Sequence, residues 1–232
     1  MEIIATKNGY QIERLLHFKC NVYLVRREGH NILVDTTWKR ERAILDGALK
    51  ERGINTLDVI ILTHSHYDHT GNAAFIKRKY GGALYIHASE AEYIRKGKMP
   101  KVKGTTPFGK TIAAFIAPLL VGRFRYDPVE PDVLVEDELL LSEYGNELRL
   151  IHTPGHTSGS ISLIIDDEIA LVGDSMIGLL PDRILPPYGD DEKQIRHSWR
   201  VLLDTGCSLF LPSHGSAVPK EVLLKNYINC FQ

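Results

Sequence analysis

Short apolar runs, each ending in a polar or glycine-bearing tip, recur along the chain. Val59 to Leu62 is an unbroken apolar run, as expected of a strand covered on both faces, and the polar segment Thr63 to His69 follows it at once. Upstream, Met1 to Lys7 is strand-like, and Asn21 to Arg26 and His30 to Val34 predict two strands around the turn Arg27-Glu28-Gly29. Arg40 to Arg52 has helical spacing, with Ala43, Ile44, Gly47 and Ala48 on one side and Gly53 closing it. Gly71 to Tyr80 predicts a helix, Leu84 to His87 a strand and Ala88 to Lys96 a short helix. The rhythm then breaks. Residues 97–132 are rich in Lys, Gly and Pro around one apolar piece, Thr111 to Leu120, and read as an insertion that covers a pocket or makes a dimer contact. An exposed stripe of Ile112, Phe115, Ile116 and Leu119 would favour the dimer.

The strand pattern resumes with Leu148 to His152, Ser160 to Ile165 and Glu168 to Val172, the last two joined by a turn at Asp166-Asp167. Asp191 to Asp204 predicts a helix, Leu209 to Leu211 a strand, and Lys220 to Phe231 a terminal helix. Strand-rich halves with interspersed helices imply an α+β chain, two sheets with helices outside. At 232 residues this is read as a single domain spanning 1–232.

Composition excludes more than it selects. With 44% hydrophobic and 25% charged residues the chain is not globally disordered, and its net charge of −1 gives no basic excess for nucleic acid. No apolar stretch is long enough to span a bilayer. The N-terminus lacks the pattern of a signal peptide, and Cys20, Cys207 and Cys230 are widely spaced with no C-x-x-C pair. Both features point to reduced thiols and a cytoplasmic protein.

The chemistry concentrates in Thr63-His64-Ser65-His66-Tyr67-Asp68-His69, where three histidines and a carboxylate follow a strand. Imidazole and carboxylate ligands packed this closely suit Zn²⁺, iron or Mn²⁺ better than Ca²⁺ or Mg²⁺. Four other segments have the same build, an apolar strand and then a polar tip. They end at Asp35-Thr36-Thr37, at Thr153-Pro154-Gly155-His156-Thr157, at Gly173-Asp174-Ser175 and at Pro212-Ser213-His214-Gly215. Strand ends on one sheet edge would carry these side chains together.

These motifs, in this order, resemble the metallo-β-lactamase superfamily. The first matches its H-x-H-x-D-H signature, and the resemblance runs from about Asn21 to His214. It implies an αββα sandwich, two mixed β-sheets flanked by helices, with a two-metal site on one edge. His64, His66 and His156 would hold the first ion and Asp68, His69 and His214 the second. Asp174 would bridge both, together with a water or hydroxide. Asp68 would in addition orient or deprotonate the attacking water, as the catalytic residue. Asp35 is expected to orient the first loop without ligating. Zinc is the default metal, with iron or manganese as alternatives, because similar ligands serve all three.

Other residues receive lesser roles. His152 is read as a buttress and His87 as structural, while His17, His30 and His197 lie in surface-like segments. Tyr67 and Tyr188 are candidates to donate a hydrogen bond to a leaving group, and Ser175 to line the pocket.

The expected activity is hydrolysis of a small ester-type substrate, a thioester or lactone, as in the glyoxalase II-like and lactonase-like branch. Aspartate at 174, where the best-known β-lactamases carry cysteine, argues against antibiotic hydrolysis as the native role. With about eighteen residues after His214, the glutathione-binding domain of glyoxalase II is not expected. The alternatives are a single-iron persulfide dioxygenase, a phosphodiesterase or nuclease of the same superfamily, and a non-catalytic sensor. The expected partner is a small-molecule substrate, with neither nucleic acid nor membrane, and homodimerisation is left open.

Overall fold

The computed structural model describes residues 3–17, 19–101, 103–105, 111 and 124–229. The apolar stripe Ile112, Phe115, Ile116 and Leu119, and Cys230, lie outside the described residues. The chain divides into two compact units, residues 1–100 with 124–135 and residues 101–123 with 136–232.

The first unit is built on a seven-stranded sheet in which β1 (Ile3–Ala5), β2 (Gln11–Leu16), β3 (Val22–Arg27), β4 (His30–Val34), β5 (Val59–Ile61), β6 (Ala83–His87) and β7 (Val133–Val135) lie side by side in chain order. The first four are antiparallel and β4 to β7 are parallel, so the sheet is mixed. The parallel part explains the unbroken apolar run of β5, all three residues of which are buried. Helices α1 (Arg42–Glu51), α2 (Tyr67–Thr70), α3 (Ala73–Tyr80) and α4 (Ala91–Lys96) fill the crossovers. Leu45, Leu49, Ile76 and Ile94 from these helices join Leu24, Leu33, Ile60 and Leu62 in one buried cluster.

The sequence pattern does not mark β2. Its Glu13 is buried among apolar neighbours, which spoils the alternation, and it is held there by Arg52 Nε at 2.7 Å. Strand β7 is missed for a different reason, being only three residues long. The helix expected over Gly71 to Tyr80 forms as α3, two residues shorter at its start, and a further single turn, α2, precedes it within the histidine loop.

The second unit has a six-stranded sheet in the order β13 (Val218–Pro219), β12 (Leu209–Pro212), β11 (Ile169–Gly173), β10 (Ile161–Ile165), β9 (Leu148–His152) and β8 (Glu138–Leu140). The pairing β11–β12 is parallel and the rest antiparallel. Asp166 and Asp167 both have positive φ, 59° and 53°, the signature of a type I′ turn between β10 and β11. Helix α5 (Glu192–Asp204) buries Ile195, Ser198, Trp199 and Leu202, one stripe at helical spacing. Asp191 caps it, accepting from the amides of Lys193 at 2.8 Å and Gln194 at 3.2 Å. It packs on α6 (Lys220–Asn229).

Two mixed sheets with their helices make the chain α+β, as the sequence pattern and the resemblance imply. No helix among the described residues is long and apolar enough to cross a membrane.

Candidate metal centre

In the first unit β4 and β5 are parallel with Val34 opposite Ile61, so Asp35 and Thr63 emerge at the same sheet edge. The Asp35 amide continues the ladder, donating to the Ile61 carbonyl at 2.9 Å, and a φ of 62° then turns the chain sharply. This turns the fully buried carboxylate onto the histidine loop. Oδ1 accepts from the Thr63 amide at 2.9 Å, the Thr63 hydroxyl lies 3.0 Å from both oxygens, and Oδ2 lies 2.8 Å from His69 Nδ1. The far end of the loop is fixed as well, because the Thr36 hydroxyl donates to the His69 carbonyl at 2.8 Å. Gly71 is obligatory here: a Cβ would lie 2.5 Å from the Lys39 nitrogen and 2.7 Å from the Thr37 carbonyl oxygen.

Within this loop His64 Nε2 and His66 Nδ1 lie 3.0 Å apart, and His69 Nε2 lies 3.9 Å from Asp68 Oδ1. His64 Nδ1 is 3.1 Å from the Thr63 hydroxyl. A partner on Nδ1 of His64 and His69 leaves Nε2 turned the other way, the arrangement that orients a metal-ligating imidazole.

The second unit reaches the same result with a different sheet. β9 and β11 each pair antiparallel with β10, and β12 runs parallel to β11, so β9, β11 and β12 end at one edge. Their next residues lead to His156, Asp174 and His214. Gly155 has φ 126° and no room for a side chain, since a Cβ would lie 2.3 Å from the Ile195 nitrogen. That close approach seats the His156 loop on the start of α5. His156 Nδ1 donates to the Tyr188 carbonyl at 3.0 Å, which turns Nε2 toward Asp174. His156 Nε2 and His214 Nε2 face the same oxygen, Asp174 Oδ2, at 3.5 and 3.4 Å.

These spacings test whether the residues suit a metal ion. Two ligand atoms about 2.1 Å from one ion lie about 3.0 Å apart at a right angle and about 3.4 Å apart at the tetrahedral angle. The His64–His66 pair and the two contacts to Asp174 match those values. The last two are also longer than the roughly 2.7–2.9 Å of a charge-assisted hydrogen bond. The donor set fits divalent metal.

Each unit therefore gathers its own share of the expected residues: His64, His66, Asp68 and His69 in the first, His156, Asp174 and His214 in the second. The other candidates fall away from this chemistry. Tyr67 stacks on Phe124 with ring centroids 4.3 Å apart, and burial, with Asp68 beside it, pushes its phenol up to about 12. Ser175 is buried, with its hydroxyl 3.3 Å from that of Thr153. His152 Nε2 bonds the Ser158 carbonyl at 2.8 Å, and His87 Nδ1 accepts from the Ser89 amide at 3.1 Å. Tyr188 matters through its main chain.

Sequence reasoning passed over Thr63, Thr36, Glu90 and Tyr126. Glu90 is buried with an oxygen on the Ser65 amide, and Tyr126 sets its hydroxyl on the Ser65 carbonyl. Neither stands near the loop in sequence, and an acid at the start of a helix ordinarily reads as a solvated partner of the helix dipole.

Residues 16–214 match the metallo-beta-lactamase superfamily. The chain belongs to that superfamily. It is 30% identical over 217 residues to a probable metallo-hydrolase of Methanocaldococcus jannaschii, covering 92% of this chain and 93% of that protein. It is 26% identical over 230 residues to an acyl-coenzyme A thioesterase of Homo sapiens, covering 91% of this chain and 79% of that one. Among solved structures, a protein crystallised in a di-iron-bound form aligns with TM-score 0.64 at 19% identity, covering 97% of this chain and 98% of that one. This superfamily member is a metal-dependent hydrolase that binds divalent metal, and its fold is that of its structural neighbours.

Proposed function

We propose that the protein is a binuclear hydrolase of small thioesters, with zinc as the resident metal. The observation that carries the two-ion reading is Asp174 Oδ2, one oxygen faced by the Nε2 atoms of both His156 and His214. The resemblance assigns those two histidines to different ions, and an oxygen facing both of them supports a bridging role for Asp174. By the same assignment His64, His66 and His156 would hold one ion, Asp68, His69 and His214 the other, and Asp174 both. A pair of divalent ions bound there supplies an activated water and polarises the oxygen under attack.

The chain's own residues do the rest. Asp35, the Thr63 hydroxyl and the Tyr188 carbonyl fix which nitrogen of His69, His64 and His156 faces the centre. Asp68 keeps a partly exposed carboxylate at the first turn of α2, from which it orients the attacking water and takes its proton. The thioester preference draws on the human thioesterase relative. The buried, reduced thiols of Cys20 and Cys207 suit a cytoplasmic setting, and the near-neutral charge suits a small-molecule substrate over nucleic acid.

The test is elemental analysis of anaerobically purified protein, with an acyl thioester, a lactone and a phosphodiester assayed on the same sample. Close to two zinc ions per chain and preferential thioester turnover are expected. About one iron per chain, no hydrolysis and oxygen uptake with a persulfide would replace this reading with the dioxygenase.

A further inference from the structure

Ser65 separates two expected ligands, and the backbone there is extended, with His66 at φ −67° and ψ 149°. Alternate residues of an extended chain project to the same side, so His64 and His66 go one way and Ser65 the other. Ser65 is fully buried, and the structure gives each of its polar groups a partner. Its amide donates to Glu90 Oε2 at 3.1 Å, and its hydroxyl donates to the same oxygen. The Tyr126 hydroxyl lies 2.9 Å from the Ser65 carbonyl and 2.6 Å from the Lys98 carbonyl, sharing its one proton between the two.

Both partners are anchored away from the loop. Glu90 follows the end of β6, where His87 Nδ1 accepts from the Ser89 amide and sets the turn that directs the carboxylate inward. Tyr126 sits over the C-terminal end of α4, its amide donating to the Gly97 carbonyl at 3.3 Å. Gly97 has φ 60°, and a Cβ there would lie 2.3 Å from the Tyr126 carbonyl oxygen, so only glycine allows this approach. Glu90 at the start of α4 and Tyr126 against its end thus bond the two successive peptides that flank Ser65 in the metal loop.

We infer that Glu90 and Tyr126 are positioning residues of the metal centre, which hold Ser65 by its amide, hydroxyl and carbonyl and thereby set the spacing of His64 Nε2 and His66 Nδ1. The inference rests on the metal-binding reading above. A buried carboxylate commits its oxygen to two donors of one residue, and the phenol bridges that residue's carbonyl to the Lys98 carbonyl, so the segment cannot rotate without breaking buried hydrogen bonds. The pair acts through Ser65 and touches neither metal nor substrate.

The test compares metal affinity and the visible spectrum of the Co²⁺-loaded protein across wild type, Glu90→Ala, Glu90→Gln, Tyr126→Phe and Leu45→Ala. Leu45 is a buried residue of α1 whose side chain makes no hydrogen bond, and its variant controls for lost core packing. Glu90→Ala and Tyr126→Phe should lower affinity roughly 10–100-fold and shift the Co²⁺ bands. Glu90→Gln, which keeps an acceptor oxygen in place, should restore most of the affinity, and Leu45→Ala should bind like wild type. Unchanged affinity and spectrum in Glu90→Ala and Tyr126→Phe, or an equal loss in Leu45→Ala, would overturn the inference. If Glu90→Ala does not fold, Tyr126→Phe, a change of one oxygen atom, carries the same comparison. A wild-type chain that binds no metal would instead overturn the proposed function.

Discussion

The Asp35 carboxylate joins two ends of one loop, with Oδ2 2.8 Å from His69 Nδ1 and Oδ1 2.9 Å from the Thr63 amide. All of these groups are buried, so the bonds act in a low-dielectric setting where a mismatch is costly. Asparagine tolerates the positive φ at this position, which alanine does not. Asp35→Asn therefore isolates the hydrogen bonds from the backbone. Its amide sets a donor against a donor, and we expect a loss of about 3 kcal/mol in urea unfolding together with lower metal content. Wild-type stability and metal load in this variant would show that Asp35 does not organise the loop.

Asp174→Ala and His66→Ala should each abolish turnover and lower the metal content while leaving far-UV circular dichroism unchanged. Asp174 accepts the approach of two imidazoles, so its loss is expected to affect both ions, whereas His66→Ala should affect one more than the other. Full metal load in purified Asp174→Ala would remove the bridging assignment.

Stripping the metal should lower thermal stability. At a free metal concentration a thousandfold above Kd, binding contributes about 4 kcal/mol. For a chain of this size that corresponds to a fall in Tm of about 10 °C on chelation, reversed by adding Zn²⁺. A melting curve indifferent to both chelator and metal would argue against any tight site.

Two glycines should respond in opposite ways to alanine. Gly71→Ala drives a Cβ into the backbone of Thr37 to Lys39, and we expect it to destabilise the loop and reduce metal binding. Gly47 lies inside α1, and a Cβ added there would meet nothing within 4 Å, so Gly47→Ala should stabilise by about 0.5–1 kcal/mol. Chemical denaturation of both variants checks the pair.

Acid stability has a local contributor in Asp46. Hydrogen bonds from Lys79 and then Tyr80, with Lys50 at 2.9 Å, hold its carboxyl well below the usual range. A depressed folded-state value means that the stabilisation is present above the unfolded value of about 4 and lost as pH falls below it. Asp46→Asn should therefore cost on the order of 1 kcal/mol at neutral pH and flatten the stability profile below pH ~4. An identical acid limb in the two proteins would count against this contribution.

Much of this was legible in the sequence because buried strands leave unbroken apolar runs. β4, β5, β9, β10 and β11 lie within a residue of where the pattern puts them, and the polar tips after them hold every residue assigned to metal except His214, which follows β12. What escaped has physical causes. Buried Glu13 disguises β2 by placing a charge where the pattern demands an apolar residue, and Arg52 and Arg26, both distant in sequence, make it tolerable. Glu90 looks like a surface acid until the tertiary structure closes over it. The orienting partner of His156 leaves no trace in the sequence, because it is a peptide oxygen.

That last point separates two tasks that usually fall to one residue. Since the His156 imidazole is steered by the carbonyl of Tyr188, any residue at 188 supplies the same oxygen provided the chain keeps its path. The phenol side chain is thereby released from that duty. Selection, natural or in the laboratory, can vary the side chain at position 188 and leave the imidazole set as it was.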